Sequence, residues 1–166
     1  MSRPADAARA ALRNPWLPED PDVDLNDDGR PVHLRARYAA YVALGGFVGT
    51  GVREALSLWF PTPADRVNWT ILAINVSGAF LLGALTQLLA GRGPDHGRRR
   101  TVRLLLGTGV LGGFTTYSTF ADGAAQLIRE NEPGMAIGYC GLTVGVGLLA
   151  SFAGIAAAQR AHRVRR

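Results

Sequence analysis

Four stretches of this 166-residue chain carry no charged side chain: residues 38–52, 67–91, 104–121 and 133–159, of 15, 25, 18 and 27 residues. A helix needs about 20 apolar residues to cross the hydrocarbon core of a bilayer, so the second and fourth runs are long enough and the third lies at the threshold. The first extends to Phe60 once Arg53 reaches a headgroup or an aqueous cavity. The pattern predicts an all-α membrane protein with four transmembrane helices.

The overall composition, 48% hydrophobic and 19% charged, hides this because it averages two regions. The first 37 residues hold five of the nine prolines and seven of the thirteen acids but one of the 21 glycines. Residues 1–33 are expected to be a disordered acidic cytoplasmic tail: they have no terminal glutamate to complete a calcium loop and no apolar signal-peptide core. Residues 34–160 form the expected four-span domain, and 161–166 a basic C-terminal tail.

Several function classes lose support at once. The single cysteine, Cys140, lies inside the last run and allows neither an internal disulfide nor a multi-cysteine metal site. His33, His96 and His162 fall in hydrophilic segments, and no GxxxxGK[ST], GxGxxG or HExxH string occurs. An enzyme or a nucleotide-driven pump is therefore not expected. The net charge of +5 comes from 18 arginines, most of them where the runs begin and end, which argues for membrane topology and against nucleic acid. With four spans, the N-terminal tail, the middle loop and the C-terminus share one side. Beside the runs, that side carries Arg35, Arg37, Arg92, Arg98, Arg99, Arg100, Arg103, Arg160, Arg163, Arg165 and Arg166; the other has Arg53, Arg66 and Arg129. Eleven against three places both termini in the cytoplasm of a multi-pass plasma-membrane protein.

The connections between runs are too short to form a domain, so function must lie within the spans. Glycines four apart, Gly45 with Gly49, Gly109 with Gly113, Gly134 with Gly138 and Gly141 with Gly145, let helix backbones approach closely in lipid. Asn75 is the one amide near the middle of the second run, and a buried amide must face either a helix partner or a hydrated path. In the third run, Gly112 and Gly113 followed by Thr115 and Thr116 predict a helix broken at its centre. Carbonyls released there persist only if buried in protein, lining water or bound to a cation. Tyr117 and Phe120, three apart, share a helical face. In the fourth run Tyr139, Thr143, Gly147 and Ser151 recur every four residues, a hydroxyl-bearing stripe suited to a small hydrogen-bonding solute.

Together these segments resemble the Fluc, or CrcB, fluoride channels. The resemblance covers about residues 38–158 and is carried by GGFVGTGVR at 45–53, NVSG at 75–78, GTGVLGGFTTYSTF at 107–120 and the glycine-rich last run. It implies an antiparallel, dual-topology dimer with two fluoride pores and a central structural sodium ion that is not transported. It further implies that Gly112 and Thr115 offer backbone carbonyls to that sodium, that Asn75, Tyr117, Phe120 and Thr143 line the pore, and that Arg53 lies near the aqueous vestibule. Such a channel would export cytoplasmic fluoride passively, lowering its toxicity.

The chain departs from the family pattern at Tyr117, where phenylalanine is usual, and at Gly123, where glutamate is common and Asp122 stands one place earlier. The arginine asymmetry also bears on assembly. A homodimer of antiparallel subunits needs near-balanced arginine, so this chain is expected to insert one way and pair with an oppositely oriented homologue. Two other readings were weighed: a four-span exporter resembling the small multidrug-resistance carriers, whose only first-span acid here would be Glu54, and a non-transporting membrane scaffold.

Overall fold

The computed structural model describes residues 35–63, 66–90, 95 and 97–164. The acidic tail expected at 1–33 and the last two arginines lie outside these. The described residues are helical, with no strand among them: α1 Ala36–Trp59, α2 Trp69–Ala90, α3 Gly97–Val102, a π-helical stretch π1 Arg103–Leu111, α4 Gly112–Phe114, α5 Ser118–Arg129 and α6 Pro133–Val164. Each uncharged run therefore falls on helix, and the third is divided as expected. The last helix does not stop at residue 160 but continues to Val164.

Local chemistry sets the ends. Asn68 caps α2, its side-chain oxygen accepting the Ile71 N–H at 3.0 Å, while the Thr70 hydroxyl donates back to the Phe60 carbonyl at 2.7 Å. Between α5 and α6, Asn131 takes the left-handed conformation at φ 60. Its N–H reaches the Ile128 carbonyl at 3.2 Å and the Glu132 N–H the Leu127 carbonyl at 2.9 Å, which terminates α5 as a Schellman turn. Pro133 then opens α6, where its missing N–H costs nothing.

Packing follows the glycine spacing. On α1, a Cβ at Gly45 would stand 2.9 Å from the Gly109 Cα, and one at Gly49 would run into the Val110 carbonyl. From the facing side, a Cβ at Gly113 would lie 3.0 Å from the Gly46 Cα. The 45/49 and 109/113 pairs thus meet each other, backbone against backbone, as lipid-embedded helices require. Likewise α2 and α6 close on each other where Gly83 meets the Ser151 backbone and Gly154 meets Phe80 and Ala84. The pairs 134/138 and 141/145 behave differently: among the described residues, nothing beyond the glycine's own stretch of helix lies within 4 Å of a Cβ built there. A core of Ala124, Leu127, Ala136 and Tyr139 joins α5 to α6, and Cys140 packs against it.

By length and composition α2 and the Pro133–Ala161 part of α6 are suited to crossing a bilayer. Large apolar side chains are exposed along the helices, Phe47 at 81% and Leu149 at 69% among them. Such surface suits lipid or another membrane helix.

Candidate functional site

The third run breaks where glycine and threonine accumulate. Helix α4 ends at Phe114, Thr115 is extended at φ −78 and ψ 155, and α5 begins at Ser118. Thr116 stands two residues before the new helix, its hydroxyl oxygen accepting the Thr119 N–H at 3.2 Å. Each carbonyl at the break then has to find a donor or an opening.

Three find donors in the chain. Leu111 receives both the N–H and the hydroxyl of Thr115, at 3.0 and 2.9 Å. The Thr116 carbonyl receives the Asn75 side-chain amide at 2.9 Å, and the same Asn75 accepts the Thr116 N–H at 2.8 Å. Gly113 receives the Arg53 guanidinium at 3.3 Å and the Thr50 hydroxyl at 3.4 Å. The carbonyls of Gly112 and Thr115 receive no hydrogen bond from any described residue.

Gly112 and Thr115 both border an open cleft of ≈ 460 Å³. Asn75, Thr116, Tyr117, Phe120 and Thr143 line it too, with Gly78, Leu111, Val144 and Gly147 among their neighbours and no charged side chain. Six of the seven residues singled out from the sequence are thus brought to one cleft. Arg53 does not line it; it reaches the break from α1. The NVSG segment has a local logic: Asn75 holds the Thr116 peptide while Gly78, one turn on, leaves room for the Thr115 methyl.

The rings form a chain. Tyr117 and Phe120 lie 6.1 Å apart at 52°, and Phe120 and Tyr139 5.2 Å apart at 50°, tilted geometries that turn positive ring edges toward neighbours. Tyr117 is 80% exposed whereas Tyr139 is buried, and the Tyr139 hydroxyl has no hydrogen-bond partner among the described residues. Sequence reading placed Tyr139 on the hydroxyl stripe but did not choose it for the site; its spacing of four from Thr143 was the available signal. Thr50 went unnoticed, since a threonine in a helix carries no mark of a distant carbonyl. The Thr143 hydroxyl, buried, donates to the Tyr139 carbonyl at 2.7 Å. Asp122 stays outside the cleft, exposed, 3.8 Å from the Arg129 guanidinium.

Outside the spans, Asp95 pairs with Arg103 at 2.8 Å and the buried Arg100 at 3.4 Å. Burial pushes its carboxyl up, but the hydrogen bond and charge of Arg103, with those of Arg100, outweigh it and hold the group below its ordinary 3.8. Among the described residues no three His, Cys, Asp or Glu side chains gather to hold a metal.

Residues 40–155 match the family model described as CrcB-like protein, Camphor Resistance (CrcB). The chain belongs to the CrcB family. A protein of Leifsonia xyli subsp. xyli named Fluoride-specific ion channel FluC 2 is 51% identical over 126 residues, covering 76% of this chain and 86% of its own length. Fluoride-specific ion channel FluC 1 of Cutibacterium acnes is 44% identical over 130 residues, 78% of this chain and 87% of its own. Fluoride-specific ion channel FluC of Deinococcus radiodurans is 44% identical over 118 residues, 69% and 89% of the two chains. The CrcB match spans α1, the break and most of α6, so it contains the whole cleft. The resemblance drawn from the three motifs is borne out, and the multidrug-carrier reading gives way to it.

Proposed function

We propose that this CrcB-family chain is a fluoride-specific ion channel subunit and not an enzyme. The observation that carries the reading is the cleft itself: Asn75, Tyr117, Phe120 and Thr143 converge beside the broken helix, in a family whose members above bear the fluoride-channel name. Fluoride is small, strongly hydrated and only accepts hydrogen bonds. A path for it must therefore replace water with N–H and O–H donors and with positive ring edges, and it needs no titratable group. Asn75 uses one of its two amide N–H groups on the Thr116 carbonyl, leaving the second for an anion. The Tyr117 ring adds a hydroxyl that phenylalanine lacks. The Thr143 hydroxyl donates to Tyr139 at rest and must turn to serve the path.

The finer picture is a four-span subunit in the plasma membrane, both termini cytoplasmic, paired antiparallel with a second subunit to complete two pores. Transport is passive. Hydrofluoric acid enters neutral and dissociates, and the anion leaves down its electrochemical gradient. The unpaired Gly112 and Thr115 carbonyls fit a hard monovalent cation, and these two would hold the structural sodium. When bound, that ion supplies positive charge to two oxygen dipoles that otherwise lack a partner.

Proteoliposomes loaded with potassium fluoride and opened with valinomycin test the function. The expected result is fluoride efflux without chloride efflux, carried by this subunit in its functional assembly. Equal release of the two anions would sink the fluoride-specific reading.

A further inference from the structure

An arginine inside a span is costly and needs a reason to be there. Arg53 stands on α1 with no ion-pair partner among the described residues; its acceptor is the Gly113 carbonyl, sixty residues away. It does not act alone. Thr50, three residues earlier on the same face, donates to that same carbonyl, and Gly46, a turn before that, presses its backbone against Gly113. Gly46, Thr50 and Arg53 thus make one stripe of α1 that grips a single peptide of the break.

That peptide lies between Gly112 and Thr115, two cleft-lining residues whose carbonyls receive no hydrogen bond from any described residue. Among the break's oxygens, those of Leu111, Gly113 and Thr116 are consumed by the chain's own donors; those of Gly112, Phe114 and Thr115 receive none from a described residue, and of these three residues Gly112 and Thr115 line the cleft. We infer that Arg53, with Thr50, is a positioning residue for the cation site: by holding the Gly113 carbonyl on the α1 side it keeps the Gly112 and Thr115 carbonyls on the cleft side. This rests on the sodium reading above. The guanidinium is suited to the task because a charge-assisted bond is worth roughly twice a neutral one and cannot be lost by deprotonation. Its own positive charge opposes a nearby cation, so geometry and electrostatics predict opposite outcomes on removing it.

The full-length channel, purified in choline chloride and titrated with sodium chloride, provides the test, read as the rise in unfolding temperature, with potassium chloride as control. Wild type is expected to be stabilised by sodium and not by potassium. Arg53→Met should raise the half-saturating sodium concentration about tenfold or more, the loss of one charge-assisted bond. Thr50→Val should raise it less, and Arg53→Gln, which keeps an N–H donor without the charge, should fall between wild type and Met. An unchanged or lowered half-point in Arg53→Met overturns the inference, because removing charge alone tightens cation binding. Should Arg53→Met fail to fold, unchanged half-points in both Arg53→Gln and Thr50→Val overturn it equally. A wild type indifferent to sodium overturns the sodium reading itself, and this inference with it.

Discussion

Asn75 holds the broken helix from a position that also borders the cleft. Both ends of its amide are engaged by the Thr116 peptide, at 2.8 and 2.9 Å, while the residue still borders the cleft. The sequence left two options open for this residue, a helix partner or a hydrated path, and the structure gives it the helix partner at the border of the cleft. Asn75→Asp keeps the acceptor and loses the donor, setting a carboxylate against the Thr116 carbonyl. We expect fluoride efflux to fall by about 100-fold, with about 1–3 kcal/mol of stability lost in denaturant unfolding. Thr143 separates the two roles. Its hydroxyl donates within its own helix, a bond of little structural worth, so Thr143→Val should change stability by less than about 1 kcal/mol. Efflux is nonetheless expected to drop about tenfold, roughly one hydrogen-bond donor's contribution to an anion path; unaltered efflux would remove Thr143 from the path.

At the scale of elements, the long helices and the break were legible because their causes are local. Uncharged length specifies the runs, and Gly-Gly followed by Thr-Thr weakens helix while offering hydroxyls to the backbone. The π-helical turns of 103–111 were not legible. They depend on the Gly112 N–H reaching back to the Gly107 carbonyl and lie where Gly109 meets the backbone of α1, a relation between distant segments. Glycine spacing was half legible: four pairs share it, yet among the described residues only two meet another helix. Substitution distinguishes them. Gly49→Ala drives a methyl into the Val110 carbonyl and is expected to abolish folded yield by size-exclusion chromatography. Gly145→Ala meets no described residue beyond its own stretch of helix, and as a helical glycine replaced by alanine it should leave subunit expression at or above wild type. The connection before the third run makes a separate prediction. The carboxyl of Asp95 is lowered in the folded state, so its contribution is present above the ordinary 3.8 and is lost as pH falls through the lowered folded value. Asp95→Asn should therefore unfold at a lower temperature than wild type at pH 7, the gap closing below pH 3.8.

The distribution of charge and of exposed apolar surface belongs to the whole molecule. Four helices of one chain leave Phe47, Val144, Leu149 and Tyr117 largely uncovered, and the cleft stands open along one side. A pore that must exclude water from fluoride cannot be left open to lipid, which is why we place a second subunit across it. Arginine placement bears on which subunit that is. Eleven arginines flanking the runs on the expected side of the termini against three on the other would amount to a strong orientation signal, and a chain so biased seldom inserts the opposite way. Two copies of it would then sit parallel, unable to form the antiparallel pair. Reconstituted alone, the full-length chain is accordingly expected to give fluoride efflux near that of empty liposomes. Co-expression with a CrcB homologue of reversed arginine bias should restore efflux and co-purify the two in equal amounts. Moving the bias toward balance tests the cause directly: Arg98→Gln, Arg99→Gln and Arg163→Gln, combined with arginines added to the 61–66 connection, should let the chain insert both ways and conduct without a partner. Robust efflux from the unmodified chain alone would show instead that it pairs with itself despite its arginines.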